Sequence, residues 1–127
     1  MRRRVLTILG VMALLAALGL VEHLSVHSLT DEALNRTHEI LSDVRADALD
    51  AALQKARALD QLWDERAVRL EMMVDHKSTD EVRYALSRLL AALESRDKAS
   101  ALIYAGELEG GIEHVYERQE FTLQNTF

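Results

Sequence analysis

Residues 5–21, VLTILGVMALLAALGLV, run for 17 positions without a charge, and Arg2, Arg3 and Arg4 stand directly before them. A stretch this apolar can satisfy its backbone in only one simple way away from water, as a helix. At about 1.5 Å per residue it reaches about 25 Å, slightly less than a hydrocarbon core of about 30 Å. Snorkelling by Arg4 and slight thinning of the bilayer close the gap. The arginines hold the N-terminus in the cytoplasm, which sends the rest of the chain across the membrane. The alternative is a cleaved signal peptide, for which Ala17 and Gly19 offer a small-x-small site. The apolar run continues through Leu20 and Val21 past that site, which favours a retained anchor.

The part beyond the anchor holds about one hundred residues, enough for a single small domain. All 21 acidic residues lie there with 12 of the 15 basic ones, leaving a net charge of −9. Such a domain is a poor match for nucleic acid or an anionic lipid surface, so no nucleic-acid partner is expected. The chain has no proline, no cysteine and only 5 glycines. Helix formers dominate and turn chemistry is scarce, which predicts an all-α fold. Without cysteine there is no disulfide framework, no thiolate metal site and no cysteine nucleophile.

Four apolar stripes recur at spacings of three and four. Ala33, Thr37, Ile40 and Val44 mark the first helix, widened by Leu34 and Leu41. Leu49, Ala52, Ala56, Leu59, Trp63, Leu70 and Met73 mark the second, interrupted by Arg66. Val82, Leu86, Leu89 and Leu93 mark the third, and Ala101, Ala105, Leu108, Ile112 and Val115 the fourth. Start signals are Thr30 ahead of Asp31 and Glu32, Asp47, Ser78 with Glu81 three residues on, and Asp97. A shift of 49 residues lays Thr30-Asp31-Glu32 on Thr79-Asp80-Glu81, Ile40 on Leu89, Ala52 on Ala101 and Leu59 on Leu108. Two helical hairpins of one plan are therefore expected, forming an antiparallel bundle of about four helices after one transmembrane helix. The expected organisation is a cytoplasmic terminus at 1–4, an anchor at 5–21, a juxtamembrane segment at 22–29, a helical exported domain at 30–117 and a tail at 118–127.

Few residues offer chemistry. The run DHKSTDE, residues 75–81, is best explained as the bend between the second and third helices, with Ser78 and Glu81 forming a reciprocal capping box. A divalent metal held by Asp75, His76 and Asp80, or a base at His76 steered by Asp75, is the weaker alternative. His23 and His27, four apart, share a helix face but supply only two ligands. No cofactor is expected, and the chain lacks a nucleophile elbow, a phosphate loop and a paired-histidine zinc motif, so an enzyme is not expected. Gly106 and Gly110 thin the fourth helix, chiefly for close packing inside the bundle and otherwise for contact with another chain. The closing FTLQNTF carries Phe121, Leu123 and Phe127; it is expected to fold back on the bundle, or else to offer those side chains to a partner.

The basic apolar N-terminus, Trp63, His76 followed by STDEVRYALSRL, LEGGIEHV with His114, and FTLQNTF together resemble the family of small bacterial membrane proteins known as domain of unknown function 4363. The resemblance implies a retained anchor and a helical exported domain, and it implies no activity. The chain departs from the family pattern at Gly110-Gly111, where bulky apolar residues are usual, so tight packing is not expected there. The leading expectation is a single-pass protein of the cell membrane, held in lipid by its N-terminal helix. Its extracytoplasmic bundle would bind another membrane protein as an accessory or scaffold subunit, and a homo-oligomer is compatible with this. The alternative is a small-ligand or metal-binding sensor module, since exported bundles can hold ligands between helices. A buried apolar pocket with converging charges would favour the sensor; a filled core with a conspicuous apolar patch favours the scaffold.

Overall fold

A computed structural model describes residues 1–71 and 76–126, with side-chain surroundings for all of these except 22, 23, 25–27, 68–71 and 118–126. Four helices follow one another: α1 (Arg2–Arg45), α2 (Leu49–Glu71), α3 (His76–Glu94) and α4 (Lys98–Thr126). No strand occurs among the described residues. Each helix packs on the next, and α4 closes the ring against α1. The result is an up-down-up-down bundle.

The expected stripes are the core. Every stripe residue whose surroundings are described is buried except Leu34, which is half-buried, from Ala33, Ile40 and Val44 on α1 to Ala105, Leu108, Ile112 and Val115 on α4. Trp63 is the largest side chain at full burial. Its indole N–H has no hydrogen-bond partner among the described residues. Arg66, the interruption in the second stripe, turns outward and donates to Glu32 Oε2 at 3.3 Å, and Ala67 takes the next core position.

Three expected boundaries move. No joint separates the anchor from the first bundle helix, because α1 runs unbroken through 22–29 and the start signal at Thr30 falls inside it. Residues 20–45 contain neither glycine nor proline, so extending an existing helix is easier than nucleating a second one. Thr30 and Thr37 are instead buried, and the Thr37 hydroxyl donates to the Ala33 carbonyl at 2.8 Å. The second change is at 118–126, which does not fold back: α4 continues through Thr126, again with no breaker after Gly111. The third lies at Ser78. Helix α3 begins at His76, so Ser78 sits within the first turn, buried, and the capping box with Glu81 has no terminus to serve. The Thr79 hydroxyl donates to the His76 carbonyl at 3.0 Å.

The two hairpins share one turn geometry. Asp47 and Arg96 both adopt left-handed backbone, with φ of 65° and 57°. Around Asp47, its N–H donates to the Val44 carbonyl and the Ala48 N–H to the Asp43 carbonyl; around Arg96, the Arg96 and Asp97 N–H groups donate to Leu93 and Ala92. This is the Schellman ending, repeated at the 49-residue shift read in the sequence. The shift also corrects one cap. Asp97 caps α4, accepting from the Ser100 N–H at 3.1 Å and the Ser100 hydroxyl at 2.6 Å. These bonds hold its carboxyl below the usual range. Its counterpart before α2 is Ala48, because Asp47 occupies the left-handed position.

At the N-terminal end, Arg2–Val21 protrudes from the bundle with every residue exposed. Twenty helical residues make about 30 Å, the thickness of a hydrocarbon core. This segment is long and apolar enough to cross a membrane.

Candidate interaction face on α3 and α4

The most distinctive surface of the bundle lies where α3 and α4 meet. The i, i+4 spacing places Glu81, Tyr84, Ala85 and Arg88 along one side of α3, opposite Glu107, Gly110, Gly111 and His114 on α4. Between them is an open cleft of about 400 Å³. Two polar contacts cross it: the ion pair of Arg88 Nη1 with Glu107 Oε2 and the approach of His114 Nδ1 to Glu81 Oε2, each 3.6 Å. All four side chains are substantially exposed, so each pair contributes at most about 1 kcal/mol to folding.

The glycines explain the cleft's shape. A Cβ built at Gly106 or Gly110 meets nothing within 4 Å. Close packing inside the bundle is therefore not their role, contrary to the sequence-based expectation. Gly111 is the position that α3 approaches, since its Cβ would lie 3.4 Å from Val82 Cγ2. The glycine pair that suggested loose packing thus divides, with Gly111 facing the neighbouring helix and Gly110 facing open space. Near them, Tyr84 is 60% exposed and, one turn before Glu107, Ile103 is 61% exposed. These are the large apolar side chains that the bundle, as distinct from the anchor and the residue beside it, leaves uncovered among the described residues.

Three of the five residues proposed for metal chemistry lie outside the described side-chain surroundings. His76 is exposed at the start of α3, Asp75 lies outside the described residues, and His23 and His27 lie on α1 with surroundings that are not described. No group of three or more potential ligands able to hold a metal occurs among the described residues. His38 pairs across α1 and α4 with Glu109 at 3.6 Å. Of the three residues proposed for partner binding, Phe121 and Leu123 lie on the last turns of α4, and Phe127 is outside the described residues. The face on α3 and α4 went unforeseen because its signal is an exposed position, and periodicity reports only which side of a helix is apolar. Gly106 and Gly110 were the available clue.

In comparisons with known proteins, a family model described as Domain of unknown function (DUF4363) matches residues 21–126, the bundle without the anchor. No curated protein and no solved structure matches the chain.

Proposed function

The chain belongs to the DUF4363 family, and from that premise and the surface just described we propose that it is a membrane-anchored accessory or scaffold subunit. Its extracytoplasmic bundle receives a helix of another membrane protein on the α3–α4 face. One observation carries this reading: two glycines four apart, exposed inside a helix, with open space where their side chains would be. Each costs the helix about 1 kcal/mol relative to alanine, and the bundle gains no contact in exchange. A partner backbone approaching closely there supplies the missing reason. Tyr84 and Ile103 provide apolar area beside it. The anchor and its arginines support a single pass with the bundle outside. A filled core, with Trp63, Ile40, Leu59, Leu86, Leu89 and Leu108 wholly buried, favours this reading over the sensor module.

The test is photo-crosslinking in intact membranes from a reactive side chain placed at Ile103 or Tyr84, with mass spectrometry of the products. We expect one specific membrane-protein neighbour, and its yield should collapse in Gly110→Leu while the bundle stays folded. Recovery of no specific neighbour from either position would overturn the reading.

A further inference from the structure

The last turns of α4 outrun the bundle, and where they arrive is set by the register of the helices. Val82 of α3 lies against Gly111 of α4. Counting back along α3 to its start at His76 reaches a level of about residue 117 on α4. Beyond that level α4 has no α3 beside it, although it continues to Thr126.

Two contacts set the register of α4 against α1. The Lys98 ammonium donates to the Arg45 carbonyl at 3.4 Å, and His38 pairs with Glu109. The helices run antiparallel with equal rise, so Val21, where the apolar span ends, comes level with about residues 122–126 of α4. The charges of α4 stop at the same height. Glu113, Glu117, Arg118 and Glu120 precede it, and residues 121–126, FTLQNT, are uncharged and include Phe121 and Leu123.

We infer that the end of α4 is a second membrane contact, seated in the interfacial layer of the bilayer beside the outer end of α1. Lipid is the occupant that fits, because the charge-free stretch coincides in height with the boundary of the apolar span and lies beyond the shelter of α3. An uncharged stretch has no ionised side chain to desolvate at that depth, and Phe121 and Leu123 add apolar residues to it. Joined to α1, this contact fixes the bundle upright on the membrane at two points. The inference rests on the membrane-anchored reading above.

The chain has no cysteine, so single cysteines can be labelled cleanly. The full chain in phosphatidylcholine vesicles would carry an environment-sensitive fluorophore at Leu123→Cys, with Phe121→Cys as a second site. Leu14→Cys would report the span and Ile103→Cys the bundle. Nitroxide-bearing lipids should quench the labels at 14, 121 and 123 and spare the label at 103. Quenching at 14 without quenching at 121 and 123 overturns the second contact and leaves the anchor standing. No quenching at 14 removes the anchor and this inference with it. Quenching at 103 as strong as at 123 means that the bundle lies flat on the bilayer, which also overturns it.

Discussion

At the scale of single residues, the bundle carries two backbone positions that work against their side chains. Asp47 and Arg96 hold the left-handed conformation that each Schellman ending requires. For a residue with a Cβ this costs about 1–2 kcal/mol. Glycine removes that cost. We expect Arg96→Gly to raise stability by about 1 kcal/mol, because the exposed ion pair that it sacrifices, Arg96 to Asp50 at 3.0 Å, is worth less. Chemical denaturation of the soluble bundle measures it. Asp97 makes the opposite kind of contribution. Its carboxylate caps α4, and the Ser100 bonds lower its folded pKa below the unfolded value near 3.8. The stabilisation is therefore complete above the unfolded pKa and lost as pH falls through the folded one. Asp97→Ala should destabilise at neutral pH and converge on the parent in strong acid, a difference read from denaturation midpoints across pH. At the core, Trp63→Ala should cost about 3–5 kcal/mol by opening a large cavity. Trp63→Phe should cost clearly less, since it keeps most of the ring and removes a donor that has no partner among the described residues.

At the scale of elements, α1 and α4 are both longer than the stripes that define them. Periodicity located the buried face of each helix, because burial is what the 3.6-residue pattern encodes. Ends were harder. Thr30-Asp31-Glu32 and Ser78-Thr79 look like helix starts, yet Thr30 and Ser78 lie inside helices. A start signal stabilises free N–H groups only where the preceding chain leaves them free, and here the preceding residues were already helical. Asp97 shows the rule holding, since the Schellman turn before it forces a new terminus. On α4, Gly106→Ala and Gly110→Ala should each stabilise the isolated bundle by about 1 kcal/mol, because nothing crowds the added methyl. Gly111→Leu should destabilise it against Val82. Thermal unfolding of the three variants separates glycine used inside the fold from glycine left on its surface.

At the scale of the whole molecule, the continuity of α1 matters most. One helix of 44 residues joins the candidate membrane span to the bundle without a break. In the proposed arrangement the bundle is therefore held at a defined angle and height, and α4 descends beside α1 toward the same boundary. A flexible hinge in α1 should disturb partner capture even though it touches no partner. Inserting three glycines after His27 is expected to leave the bundle's unfolding transition in place and to reduce crosslinking from Ile103. Equal crosslinking with and without the insertion would show that orientation is unimportant.

The residue pattern alone determined the all-helical class, the apolar span, most of the core and the matching of the two hairpins, while Leu29, Ala67, Ala85 and Ala92 joined the core outside the stripes. Each of these follows from local propensity and from which positions along a helix repel water. Tertiary structure decided the rest: that Gly111 meets Val82 while Gly106 and Gly110 meet nothing, that Glu81 turns to His114 and away from a cap, and that α4 pairs with α1 through His38 and Glu109. Those facts depend on how far one helix slides along its neighbour. That offset is set by side chains meeting across the bundle, and no spacing within a single helix contains it.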